Sequence, residues 1–70
     1  MKINDKCKNL LEKYHYDIPE SEEQLESLIE ELQNDFINYG INDDDSVNKQ
    51  GDDLDYLIDI LSELLEEWKT

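Results

Sequence analysis

Apolar side chains recur at three- and four-residue spacing in three separate stretches of this chain, and nowhere do they alternate. That spacing puts them on one face of a helix, whereas a half-buried strand needs a period of two. The strongest stretch is Leu54, Leu57, Ile58, Leu61, Leu64, Leu65 and Trp68. Ile60 widens its apolar arc to roughly 160°, more than the ~100° stripe that one packing partner covers. This helix, predicted to start at Asp52 or Asp53, is therefore expected to be central and to touch two others. Trp68 is expected in the core near the C-terminus.

The other two helices follow from the same rule. Ile3, Cys7, Leu10, Leu11 and Tyr14 share one face of a helix predicted over residues 3–15, which must end before Pro19. Ser21 and Gln24 form an S-x-x-Q capping box ahead of Leu25, Leu28, Ile29, Leu32, Phe36 and Tyr39. Glu22 and Glu23 suit the positive end of that helix's dipole, and Gly40 is placed as its C′ stop. Residues 41–52 hold turn formers with no period and read as an acidic, mobile loop. The fold class is all-α: one domain over residues 1–70, a small three-helix bundle with an acidic loop between its second and third helices.

At 70 residues the chain can bury only about 60% of its unfolded surface, so its stability as a monomer is modest. A single cysteine permits no intrachain disulfide. No apolar run reaches the ~18 residues of a membrane span. Met1-Lys2-Ile3-Asn4-Asp5 lacks the apolar stretch of a signal peptide, so a cytoplasmic location is expected. The absence of Ala and Arg, beside frequent Ile, Asn, Lys and Tyr, tracks AT-rich codons and points to a low-GC bacterium or one of its phages or mobile elements.

Charge is the second constraint. The chain carries 20 acids against 6 lysines, a formal net charge of -14. Residues 1–16 hold four lysines and two acids, so residues 17–70 carry 18 acids and two lysines. Such acidity opposes direct binding to nucleic acid or to an anionic membrane. Acids stand at i, i+4 along two helices, as in Glu22/Glu26, Glu26/Glu30, Asp55/Asp59 and Asp59/Glu63. Each such pair costs a helix about 0.2–0.5 kcal/mol, where lysine at i+4 would gain a similar amount. Something other than stability shapes this surface.

The candidate partner-binding residues are Glu23, Glu26 and Glu30 on the second helix and Asp55, Asp59, Glu63 and Glu66 on the third. Ile37 projects into the acidic sector of the second helix, and Tyr56 lies at the edge of the third helix's apolar arc near Glu67. An apolar side chain ringed by charges is how interface anchors are built. Tyr16 also falls off the apolar face of its helix.

Catalysis finds little purchase. Cys7 lies on an apolar face, and His15, eight residues on, points about 80° away, so they form no nucleophile–base pair. One histidine removes the usual zinc sets, and Gly40 and Gly51 are the only glycines, so there is no phosphate loop. The segment from Asn42 fits a calcium loop poorly: Val47 or Lys49 stands where glycine is required, and neither frame ends in a bidentate glutamate. No cofactor, metal or enzymatic activity is expected.

Three functions remain. In size and charge the chain resembles the small acidic helical inhibitors of phages and mobile elements, which mimic nucleic acid against host defence or transcription. That resemblance implies a basic, nucleic-acid-handling protein partner. The second is an immunity protein or antitoxin against a basic toxin. Ser21-Glu22-Glu23-Gln24-Leu25 resembles the acidic second helix of nuclease-colicin immunity proteins, but their tyrosine pair in the next segment has no counterpart. The third is a helical adaptor that forms a homodimer through the wide face of its last helix.

Overall fold

The computed structural model describes residues 3–69 as three helices: α1 (Asp5–Lys13), α2 (Glu22–Tyr39) and α3 (Lys49–Lys69). Among the described residues there is no strand, and an isolated antiparallel bridge joins Ile41 to Val47. The expected all-α three-helix architecture is what the chain adopts. Helix α3 packs on both α1 and α2, whereas no Cα of α1 comes within 8 Å of one in α2. Cys7 and Leu11 of α1, Leu25, Leu28, Ile29 and Leu32 of α2, and Leu54, Leu57 and Leu61 of α3 form the core. Burial raises the pKa of the Cys7 thiol.

Side-chain caps set most of the helix boundaries. Asn4 caps α1, its Oδ1 accepting the Cys7 N–H at 2.7 Å, so the helix is shorter than the 3–15 predicted. It ends well before Pro19, in a Schellman turn. The Tyr16 N–H donates to the Leu11 carbonyl and the His15 N–H to that of Glu12, with His15 in the left-handed region at φ 64. Ser21 caps α2 as expected, accepting the Gln24 N–H at 3.1 Å. The Gln24 side chain reaches one residue further back than a capping box requires, to the Glu20 N–H at 2.8 Å.

Helix α3 starts a turn earlier than predicted. Asn48 is its cap: Oδ1 accepts the Gly51 N–H at 2.8 Å, and the Asn48 carbonyl takes the Asp52 N–H. Gly51 reads as a loop residue in the sequence, yet it lies inside the first turn. Its role is steric. A Cβ at Gly51 would stand 2.3 Å from the Gly40 carbonyl oxygen, and one at Gly40 would stand 2.7 Å from Gly51 Cα. Gly40 itself has φ -90, so no left-handed turn stops α2. The two glycines are where the end of α2 and the start of α3 touch backbone to backbone.

The loop between α2 and α3 carries its own hydrogen bonds. Asn42 and Ser46 pair backbone to backbone beside the Ile41–Val47 bridge, and Asp45 turns the chain at φ 66. The Asp44 carboxylate accepts both the Ser46 N–H at 3.1 Å and the Ser46 hydroxyl at 2.6 Å, which holds its pKa below the usual value. Asn48 Nδ2 donates to the Tyr39 carbonyl at 2.9 Å. This closed turn sends α3 back antiparallel to α2. The expectations for the two ends of the hairpin fail: Trp68 is 38% exposed and Tyr39 60% exposed. Helix α3 extends towards the Pro19–Glu20 corner, which offers Trp68 the wall of a shallow groove in place of a core site.

In an exposed helix, Gly→Ala gains about 0.5–1 kcal/mol. Gly51→Ala should do the reverse here, costing about 1–3 kcal/mol because the methyl must displace backbone. A thermal melt followed by circular dichroism checks the sign, and a raised midpoint would contradict the contact.

Candidate protein-binding surface

The α2–α3 hairpin has two lateral faces, and α1 with the chain that follows it covers one. Tyr14 Oη donates to Asp53 Oδ2 at 2.6 Å, and Lys13 Nζ lies 3.9 Å from the same carboxylate. Lys6 Nζ sits 4.3 Å above the Tyr56 ring, whose hydroxyl accepts from Asn4 Nδ2 at 3.3 Å. Further along, the Tyr16 hydroxyl donates to the Asp35 carboxylate of α2. Asp53, Tyr56 and Asp35 thus mark the covered flank of each helix.

At 100° per residue, Asp55, Ser62, Glu66 and Asp59 occupy the other flank of α3, and Glu26, Ile37 and Glu30 the other flank of α2. In an antiparallel pair, matching flanks lie on the same side, so these two rows share the hairpin's open face. All but Ser62, which is half-buried, are exposed. Between the rows, half-buried Ile58 and Leu65 and buried Ile29 form an apolar seam. Glu23 and Glu63 are exposed but lie further round their helices, pointing away from the seam. Ile37 is 68% exposed and stands at one end of the face.

Tyr56 departs from its expected place. Its position at the edge of the apolar arc is real, but that edge faces α1, and the ring is half-buried under Lys6. Tyr16 is likewise bound internally, packed on the core through the turn that ends α1. The seam residues Ile58 and Leu65 were hidden among core positions. Their signal is their place in the arc, on the side next to Asp55 and Ser62.

Other sites are modest. An open groove of about 610 Å³ lies between the 15–19 segment and α2, lined by His15, Asp17, Ile18, Glu23, Ser27 and Glu31. Among the described residues, no three His, Cys, Asp or Glu side chains are grouped to hold a metal ion. No described helix is long and apolar enough to cross a membrane.

The hydrogen bonds of Tyr14 to Asp53 and of Tyr16 to Asp35 have a pH signature. The hydrogen bond to Asp53, then burial and the Asp53 charge, push the Tyr14 phenol up to about 12 from an ordinary 10.0. Burial first, then the bond to Asp35 and the charges of Asp35 and Glu31, raise Tyr16 further. A raised folded-state pKa means that the neutral phenols stabilise the fold. That contribution is complete below the ordinary tyrosine value and is lost as pH climbs through the folded ones. An ultraviolet phenolate titration should show late-ionising tyrosines, with Tyr14→Phe removing a step near pH 12. A curve for the intact protein that finishes at ordinary tyrosine values would contradict these two hydrogen bonds.

No protein-family model, no curated protein and no solved structure matches this chain.

Proposed function

We propose that this protein inhibits a basic, nucleic-acid-handling protein by occupying its Lys/Arg groove with nucleic-acid-like rows of carboxylates. One observation carries the reading: Glu26 and Glu30 of α2 and Asp55, Asp59 and Glu66 of α3 are exposed together on the face opposite α1, with no lysine interleaved among them. Carboxylates four residues apart stand about 6 Å apart along a helix, at 1.5 Å rise per residue. Phosphates two nucleotides apart on a strand of B-DNA are separated by about 7 Å along the duplex axis. A groove shaped for one series can therefore take the other, held by rigid helices that lose little entropy on docking.

The same chemistry would serve an immunity protein or antitoxin if the basic partner is a toxin. Pairing of two copies through this face is opposed by charge, since it would set acid rows against acid rows. A phage or mobile element of a low-GC bacterium is the source that the codon-driven residue usage supports. The inhibitor would then act in the cytoplasm.

A tagged protein should retain basic proteins from lysate of a low-GC bacterium, and added DNA or RNA, or raised salt, should release them. Salt acts here because exposed charge pairs are screened within about 8 Å at physiological ionic strength. The triple variant Asp55→Lys/Asp59→Lys/Glu66→Lys should retain none of them while keeping its helicity. Retention that neither nucleic acid nor the triple reversal disturbs would overturn the proposal.

A further inference from the structure

The covered face of the hairpin shows what sort of element this surface accepts. Helix α1 is a short basic amphipathic helix: Cys7 and Leu11 enter the core, while Lys6 and Lys13 reach Tyr56 and Asp53 of α3. The open face offers the same combination, an apolar seam of Ile58, Leu65 and Ile29 between rows of carboxylates. It differs in that α1 lies on the opposite side of the hairpin.

We infer that the open α2–α3 face takes a basic amphipathic helix of the partner, seated along the seam as a fourth helix. The groove between two antiparallel helices accepts a third at the usual 8–10 Å interaxial distance. Apolar residues at i, i+3, i+4 and i+7 of the incoming helix would meet Ile58 and Leu65, with Ile37 at the end of the seam. Its flanking lysines or arginines would meet Glu30 on one side and Asp55 and Glu66 on the other. Charge selects this occupant. A second copy would bring its own carboxylates to the face, and nucleic acid would bring phosphates. An extended basic strand would satisfy the acids and leave the seam wet.

This inference rests on the inhibitor reading but is narrower, and the two can fail separately. The probe is a synthetic 18-residue peptide (about five helical turns) of leucine at helical spacing and lysine elsewhere, added to the full chain. A lysine–glycine–serine peptide of equal charge is the comparison. Circular dichroism should show the leucine–lysine peptide gaining helix on binding. Amide shifts in nuclear magnetic resonance should centre on Ile29, Ile37, Ile58 and Leu65. The double variant Glu30→Lys/Asp55→Lys should weaken binding by about tenfold or more, whereas Glu12→Lys on α1 should stay within about twofold. Equal binding of the glycine–serine peptide would overturn the helix inference and leave charge mimicry standing. Shifts confined to the α1 side, or sedimentation showing two copies joined through the open face, would overturn it as well.

Discussion

The contact between Gly40 and Gly51 governs the rest of the architecture. Two helices can pack along their length only if the connection between them brings their axes close, and here the closest point is backbone on backbone. No side chain can substitute for that approach, because each glycine's missing Cβ would fall on the main chain of the other helix. The caps and the closed turn beside it serve the same junction. Asn48 starts α3 and also ties back to the last residue of α2, while Ser46 and Asp44 lock the turn between them. Once the hairpin is set in this way, its leucine faces meet and its two lateral faces are defined.

Those faces receive opposite treatment. One is neutralised from within, by lysines and phenol hydroxyls of the segment around α1. The other carries exposed acids. The segregation of positive charge into the first sixteen residues thus has a structural meaning: that stretch supplies counter-charge to one side of the molecule only. Repulsion along α2 and α3 is tolerated because helix formation here rests on buried leucines, and each pair of like charges costs only a few tenths of a kcal/mol.

Most of the helical content was legible because every buried leucine obeys the three–four period. The cap of α2 was legible because Ser21 and Gln24 act locally. The start of α3 was not, since Gly51 signals a turn in sequence and only the close approach of Gly40 explains a glycine inside a helix. Trp68 and Tyr39 continue the apolar period yet stay exposed at the two ends of the hairpin. Tyr56 looked like a surface anchor because its neighbour across α1, Lys6, lies fifty residues away in sequence. The acidic rows were readable as rows, but which of their members share a face depends on where α1 sits. That is a long-range fact that no local pattern carries.

The short, self-bonded connection also bears on how the chain reaches its native state. Contacts within the hairpin begin at separations of a few residues, as in Ile41 with Val47 and Asn48 with Tyr39. Those that fasten α1 span 39 residues for Tyr14 with Asp53 and 52 for Asn4 with Tyr56. Closing the longer loops costs more chain entropy, so local contacts form sooner. The pattern describes a zippered α2–α3 hairpin that forms early, with α1 arriving as the last and most easily released layer.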